Sequence, residues 1–253
     1  MTRPARRASP KASVAVVGAG DFIGAAIAER FAAGGYRVFG GRRDGERLAS
    51  LQAKIEAAGG AFEGRGLDAR QEDQVGAFLG EADADQPLEV VVFNIGANVN
   101  FPITETTSRV FRKVWEMACE AGFLTGREAA RRMLERGGGS IFFTGATASL
   151  RGGVGYAAFA SAKAGLRAVA QAMARELGPR NIHVAHLIID AGVDTAFVRQ
   201  RIAAARGDAA LADLPPDTLM EPSSIARAYW DLHQQSRDAW TFELDLRPFA
   251  ERW

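Results

Sequence analysis

The sequence predicts an α/β fold, a doubly wound parallel sheet of about seven strands flanked by helices. Short β-branched or apolar runs alternate with helical patterns from residue 13 to the end of the chain. Runs such as VVVFN at 90–94 are apolar on both faces, which is typical of a strand buried in a parallel sheet. No linker interrupts the pattern, and 253 residues with 47% apolar composition suffice for one core. We therefore predict a single domain over 12–253.

The individual elements follow in a regular order. Strands are predicted at 13–17, 36–40, 61–67, 88–94, 140–144, 183–189 and 240–244. Helices are predicted near 24–33, 45–58, 71–83, 108–136, 157–177, 196–206 and 222–235. Gly178 and Pro179 follow the fifth helix, where Gly tolerates a left-handed cap and Pro cannot continue the helix.

Composition and charge exclude several classes of partner. The net charge of +1 gives no indication of nucleic-acid binding. The basic segment 1–11 has no apolar period, so we predict a disordered tail there, with a targeting or anion-binding arm as the alternative. No stretch approaches the ~20 apolar residues of a membrane span, and no His, Cys and Asp cluster has metal-ligand spacing. The single cysteine, Cys119, excludes an intramolecular disulfide and fits a cytoplasmic protein.

A glycine-rich turn at 18–24 follows the first strand and leads into a helix. Glycines let the backbone approach a pyrophosphate, and the helix N-terminus supplies free N–H groups and a positive dipole end. Gly18, Gly20 and Gly24 are the expected contact or packing glycines, and Phe22 and Ile23 at the helix start complete the set. The turn therefore predicts a dinucleotide site, with a plain tight turn as the alternative.

The end of the second strand indicates which dinucleotide is bound. Dinucleotide sites often place an acid here to hold the ribose 2′-hydroxyl, whereas an arginine favours a 2′-phosphate. This chain has Arg42 and Arg43, with no acid until Asp44, which favours NADP(H) while leaving NAD(H) open. The alternative is that both arginines are solvated loop charges, and Asp21 in the glycine turn works against a nearby phosphate.

Together these features resemble the short-chain dehydrogenase/reductase family from about residue 12 onward. VGAGDFIG at 17–24 is similar to the family's glycine turn, and GLDAR, FNIGAN and DAGVDT are similar to its later cofactor motifs. The resemblance implies a Rossmann fold and a nicotinamide cofactor. The matching cofactor residues beyond the glycine turn are Asp68 at the adenine, Asn94 and Gly96 after the fourth strand, and Gly192 and Thr195 at the nicotinamide.

The family's catalytic Asn, Ser, Tyr and Lys are matched only in part. The resemblance places Cys119, Ala146 and Phe159 where the first three stand, and it retains Lys163 for the nicotinamide ribose and for catalysis. Without the tyrosine hydroxyl the usual proton donor is missing.

Two nearby side chains are candidate replacements for the lost catalytic hydroxyls. Tyr156 is a candidate proton donor, with a pocket wall or a structural role as alternatives. Thr147 could supply the serine hydroxyl after a small shift in register, whereas Thr144 is expected to face the sheet.

The sequence therefore supports three functional hypotheses. The first is an NADP(H)-dependent oxidoreductase acting on a small carbonyl or alcohol substrate with an atypical active site. The second is a catalytically inactive dinucleotide-binding sensor or scaffold, and the third is a lyase or isomerase using the same pocket. The helices at 108–136 and 157–177 resemble those through which family members assemble, so a homodimer or homotetramer is expected.

Overall fold

The computed structural model describes residues 12–249 and residue 251. The predicted disordered tail at 1–11 lies outside the described residues. The described part forms one seven-stranded sheet with helices on both faces, which confirms the predicted fold class.

All strand pairs in the sheet are parallel, and the order across it is β3-β2-β1-β4-β5-β6-β7. The strands are β1 (Ser13–Val17), β2 (Arg37–Arg42), β3 (Ala61–Gly66), β4 (Leu88–Phe93), β5 (Gly139–Thr144), β6 (Ile182–Ile189) and β7 (Glu243–Leu246). The chain builds one half of the sheet outward from β1 and then returns to β4, so the strand order reverses between β1 and β4. Ligands of open α/β sheets bind in the crevice at the carboxyl ends of such strands.

The helices agree with the predicted positions, with local differences. They are α1 (Ile23–Ala33), α2 (Ala49–Ala57), α3 (Glu72–Asp85), α4 (Ser108–Trp115), α5 (Ala121–Arg136), α6 (Ala157–Leu177), α7 (Ala196–Arg206), α8 (Asp208–Ala212) and α9 (Pro222–His233). A 3₁₀ turn at Gly45–Leu48 precedes α2, and a π-helical turn at Glu116–Glu120 separates α4 from α5. The short α8 was not predicted.

Two sequence expectations were wrong in detail. The last strand was expected at 240–244 but is Glu243–Leu246, because Trp240 stacks on His183 and Thr241 is held in a turn by Gln235. The chain enters the sheet only after these contacts.

The C-terminus of α6 also differs from the expectation. Gly178 has a right-handed helical φ of −53° and continues as a 3₁₀ turn, Gly178–Arg180, so it does not supply the left-handed cap. Asn181 takes that conformation instead, with a φ of 65°. Its side-chain amide donates to the carbonyl of Gly137, which explains why an asparagine serves there.

The core has two main parts, one on each face of the sheet. One packs α1 and α9 on the sheet around Ile27, Phe31 and Tyr229. The other packs α3, α5 and α6 around side chains such as Phe78 and Leu166. Strands buried from both sides explain the continuous apolar runs in the sequence.

Candidate active site

Two adjoining cavities lie at the carboxyl ends of the strands, on either side of the β1–β4 reversal. The larger, the catalytic cavity, has a volume of about 660 Å³, and the smaller, the adenosine cavity, of about 520 Å³. They share the lining residues Gly18, Gly20, Asn94, Ile95 and Gly96. The shared residues make the two cavities one groove over the switch point, which is the place and form expected for a dinucleotide.

The glycine turn is built by three glycines with different tasks. Gly18 has a φ of +97°, and a Cβ there would lie 2.6 Å from the carbonyl oxygen of Asn94, so only glycine fits. A Cβ on Gly24 would lie 2.3 Å from the carbonyl oxygen of Gly18, so this glycine lets α1 pack against the turn. A Cβ on Gly20 would meet nothing within 4 Å, so a ligand can approach this residue closely, while its N–H donates to the Gly18 carbonyl and its carbonyl accepts from the Ala25 N–H.

The N-terminus of α1 faces the catalytic cavity. Phe22 stands at the N-cap position without a capping side-chain hydrogen bond, and Ile23 begins the helix. Both line the cavity, and the Phe22 side chain is partly exposed. An uncapped helix N-terminus beside an open glycine is suited to an anionic group.

An ion pair joins the glycine turn to the adenosine cavity. Arg42 Nη1 donates to Asp21 Oδ1 at 2.5 Å, and Arg47 Nη2 donates to Asp21 Oδ2 at 3.1 Å. Arg42, Arg43 and Arg47 all line the adenosine cavity. The sequence had indicated both Arg42 and an opposing Asp21, and the structure shows that they contact each other directly.

Asp68 also lines the adenosine cavity, but its carboxylate is engaged. Arg70 Nε donates to Asp68 Oδ1 at 2.9 Å and Arg70 Nη2 to Asp68 Oδ2 at 2.5 Å. The hydrogen bonds from Arg70 lower the pKa of the Asp68 carboxyl. Arg70 was missed by the sequence analysis, although its position two residues after Asp68 was visible in GLDAR.

Asn94 is held by a chain of hydrogen bonds that crosses the sheet. Its Nδ2 donates to the Gly18 carbonyl at 3.1 Å, and its Oδ1 accepts from Thr144 Oγ1 at 3.0 Å. Because the Thr144 hydrogen is used there, the hydroxyl of Tyr229 donates to Thr144 Oγ1 at 2.6 Å. Burial raises the pKa of Tyr229, which keeps it a donor. The Thr144 side chain is buried and engaged by Asn94 and Tyr229, in agreement with the expectation that it faces the sheet, and the residue also lines the catalytic cavity.

Lys163 is buried on α6 and lines the catalytic cavity, with 2% of its surface exposed. Its Nζ donates to the Thr144 carbonyl at 2.8 Å and to the Ile95 carbonyl at 3.1 Å. Burial lowers the pKa of the ammonium from 10.5 to about 8, and the nearby Cys119 opposes this shift. Two backbone acceptors thus position a cation at the junction of β4, β5 and α6.

Phe159 and Tyr156 line the same cavity as Lys163. Phe159 precedes Lys163 by one turn of α6, is buried, and its ring centre lies 6.0 Å from Lys163 Nζ. The Tyr156 ring lies 6.5 Å from that of Phe159, at the N-terminus of α6. Within the described part of the chain the Tyr156 hydroxyl makes no hydrogen bond, so it is available to a ligand.

The Thr147 hydroxyl is already engaged. Thr147 Oγ1 donates to Asp190 Oδ1 at 2.5 Å, and Asp190 is 2% exposed. A threonine hydroxyl has one hydrogen, so Thr147 must give up this bond before it donates to a substrate oxygen. Ala146, in contrast, lines the cavity with no polar side-chain atom.

Of the remaining predicted site residues, some line the catalytic cavity and one does not. Thr195 lines it and caps α7, since its Oγ1 accepts from the Val198 N–H at 3.1 Å. Gly192 is not part of the lining, because it packs towards Leu219 and its carbonyl accepts from the Met220 N–H. A Cβ on Gly96 would meet nothing within 4 Å, so its backbone is open to the groove.

Cys119 packs between the π-helical turn and α6. A Cβ on Gly165 would lie 2.8 Å from Cys119 Sγ, so the glycine makes room for the thiol. Burial raises the pKa of Cys119, which keeps the thiol protonated. The structure therefore gives Cys119 the surroundings of a core residue rather than those of a nucleophile.

Two further features were searched for in residues 12–249 and 251. This part of the chain contains no group of three or more His, Cys, Asp or Glu side chains arranged to hold a metal ion. Nor does it contain a helix with the length and apolar character that crossing a membrane requires.

Comparison with known proteins identifies the family. The model of the short chain dehydrogenase family matches residues 12–205. MabA of Mycobacterium tuberculosis, a 3-oxoacyl-(acyl-carrier-protein) reductase, is 30% identical over 188 residues, 74% of this chain and 71% of the relative. The chain therefore belongs to the short-chain dehydrogenase family, as the sequence motifs predicted.

Solved structures agree with this assignment. A short-chain dehydrogenase from Rhodopseudomonas palustris is 62% identical, with a TM-score of 0.81 over 94% of this chain and 99% of that one. A metagenomic short-chain oxidoreductase in complex with NADP is 24% identical, with a TM-score of 0.75 over 95% of this chain and 99% of that one. At that identity the second likeness shows the fold alone.

Proposed function

We propose that residues 12–253 act as one NADP(H)-dependent oxidoreductase domain, which interconverts a small carbonyl compound and its alcohol. The observation that carries this proposal is the buried ammonium of Lys163 in a cavity continuous with the glycine turn. Burying a cation that carries no carboxylate partner is costly. A site that binds a cofactor and stabilises charge during a reaction explains why that cost is tolerated.

The groove offers a distinct partner for each part of the cofactor. The pyrophosphate would lie beside Gly20, where no Cβ blocks its approach, and against the uncapped N-terminus of α1. Arg42 and Arg43 would face the 2′-phosphate, and Lys163 would bind the nicotinamide ribose. The metagenomic short-chain oxidoreductase, which shares this fold, was solved in complex with NADP, so the fold is compatible with this dinucleotide.

The cofactor would supply the hydride, and the chain would supply the proton and the positive charge. We propose Tyr156 as the proton donor, because its phenol is unengaged and is far more acidic than an alcohol. The positive charge of Lys163 would stabilise negative charge on the substrate oxygen. Thr147 is the less suitable donor because its hydrogen is bound to Asp190.

The proposal is tested by NADPH oxidation with a panel of aldehydes, ketones and imines, using wild type and Tyr156→Phe. We expect turnover above the enzyme-free rate, and a decrease of about 10²-fold in the variant, the usual contribution of a general acid. No turnover with any compound, despite tight NADPH binding, would favour the inactive sensor. The specific observation in favour of the sensor is the apolar Phe159 beside Lys163.

Arg42→Ala is expected to weaken NADPH binding by about 10–100-fold and NADH binding by less than about threefold, since a hydrogen bond to a charged group contributes roughly 1.5–3 kcal/mol. The physical reason is that only NADPH carries the 2′-phosphate.

Asp21→Asn is expected to tighten NADPH binding, because it frees Arg42 from a competing carboxylate. Both are measured by fluorescence titration, with Arg175→Ala as the control at an exposed site on α6. Equal losses for both dinucleotides would contradict this role of Arg42.

We further propose that the protein is a cytoplasmic homodimer or homotetramer. Large apolar side chains are partly exposed along α4 and α5, namely Phe111, Trp115 and Phe123. Their burial between subunits would stabilise an assembly. Sedimentation velocity with and without NADPH measures the state, and a change caused by the cofactor would favour the sensor hypothesis.

A further inference from the structure

Part of the catalytic cavity, which we call the substrate end, is lined by residues from segments 146–159 and 189–195. It is lined mainly by small and apolar residues, with Arg151 on the loop between β5 and α6. Among the described residues of this lining, Arg151 alone is charged, so it is the side chain that would select between substrates by charge.

The guanidinium of Arg151 is held at one nitrogen and open at the others. Its Nη2 lies 3.3 Å from Asp190 Oδ1 and 3.5 Å from Asp190 Oδ2. In the described part of the chain Nε and Nη1 have no hydrogen-bond partner, and the side chain is 46% exposed. Asp190 thus fixes the direction of Arg151 without using its full set of donors.

The carboxylate of Asp190 has further partners besides Arg151. It also accepts the hydrogen of Thr147 at 2.5 Å and lies 3.7 Å from Arg247 Nη2. Arg247 also pairs with Asp245, so these two arginines and two aspartates balance in charge. Arg151 would therefore attract an anion through its open donors and not through a net positive charge.

We propose that the substrate carries a carboxylate, which the open donors of Arg151 bind while its carbonyl or hydroxyl carbon faces the nicotinamide. The substrate class is then a compact oxo acid and the corresponding hydroxy acid. An arginine fork matches a carboxylate with two parallel hydrogen bonds, which fixes orientation as well as position. This inference rests on the proposed oxidoreductase function and specifies its substrate.

The reduction balances with one hydride and one proton. Bound NADPH would supply the hydride, which forms a C–H bond at the carbonyl carbon while the C=O π electrons move to oxygen. Tyr156 would give that oxygen a proton and regain one from water, and the products would be the hydroxy acid and NADP⁺. The carboxylate bound to Arg151 takes no part in bond breaking and serves only to orient the substrate.

The test compares acids with their methyl esters, because the pair differs in charge and keeps the reacting carbonyl. The probes are benzoylformate and acetoacetate, each with its methyl ester, and the enzymes are wild type, Arg151→Gln, Arg151→Lys and the control Arg175→Gln. Steady-state NADPH oxidation measures kcat/KM, and calorimetric titration of the NADPH complex measures binding without turnover. We expect wild type to prefer at least one acid over its ester by about tenfold or more, the equivalent of one charge-assisted hydrogen bond.

Arg151→Gln should lower binding and kcat/KM for the acid by a much larger factor than for the ester and so abolish this preference, while Arg151→Lys should retain part of it and Arg175→Gln all of it. Equal binding of acid and ester by wild type would overturn the proposal, as would an equal loss of both in Arg151→Gln. Circular dichroism melting of each variant shows that the fold is retained, and Arg151→Lys keeps the charge if the glutamine variant is unstable. Acid-selective binding without turnover would support carboxylate binding by Arg151 and would refute the proposed oxidoreductase.

Discussion

Phe159→Tyr is expected to raise kcat for carbonyl reduction by about 10²-fold, because it adds a general acid one turn from Lys163. Phe159 already lines the catalytic cavity, and its ring centre lies 6.0 Å from Lys163 Nζ. A phenol at this position would gain from the neighbouring ammonium, which favours the phenolate and lowers the pKa of the new hydroxyl. The measurement is the single-turnover rate of NADPH oxidation at saturating substrate.

Two control variants separate chemistry from packing. Phe159→Leu changes the shape of the cavity wall without adding a proton, and we expect no gain from it. Tyr156→Phe should cost much less in the Phe159→Tyr background than in wild type, because the new hydroxyl replaces the old one. A Phe159→Tyr enzyme with an unchanged rate would contradict this prediction and would mean that the supply of the proton does not limit the reaction.

Lys163→Met is expected to lower kcat/KM by about 10²-fold, the loss of a charge-assisted contact of roughly 1.5–3 kcal/mol. The ammonium would contact the cofactor and stabilise developing charge, and methionine keeps the length of the chain without the charge. NADPH titration should show weaker binding as well. A variant with unchanged kcat/KM would contradict the role of Lys163.

The same variant gives a pH test that needs no substrate. Lys163 has a folded-state pKa of about 8 and an ordinary value of 10.5. Below pH 8 both the folded and unfolded chains hold the proton, so the cost of burying the charge is fully present. Between pH 8 and pH 10.5 Lys163 loses its proton in the folded protein before it does so in the unfolded chain, so the free energy of unfolding rises with pH. From pH 8 to 9.5 we expect wild type to gain up to about 2 kcal/mol of unfolding free energy relative to Lys163→Met.

The fold was predictable because its strongest pattern is local. Strands buried on both faces must be apolar throughout, and the runs at Ser13–Val17 and Leu88–Phe93 show this directly. The glycine turn was also predictable, since a positive φ at Gly18 and close packing at Gly24 leave no other residue type. The last strand was placed three residues early because its start depends on a stacking contact with His183.

Most of the predicted site residues line one of the two cavities, but the contacts between them could not be predicted. Arg42 and Thr147 were identified from sequence position, yet the direct contacts of Arg42 with Asp21 and of Thr147 with Asp190 were not. Thr147 and Asp190 are 43 residues apart, and Arg42 and Asp21 are 21 apart. Such pairs form only where the carboxyl ends of parallel strands converge, so they depend on the tertiary structure. The identity of Tyr229 as the donor that orients Thr144 arises in the same way.

The central claim is that this groove binds NADP(H) more tightly than NAD(H), and one fluorescence titration tests it most directly. Purified protein is titrated with NADPH and NADH side by side at the same pH and ionic strength. The account predicts NADPH binding tighter than NADH binding by about tenfold or more, the contribution of a charge-assisted contact to the 2′-phosphate. Failure of both dinucleotides to bind would contradict the claim, and so would tighter binding of NADH, which would mean that Asp21 holds Arg42 away from the cofactor.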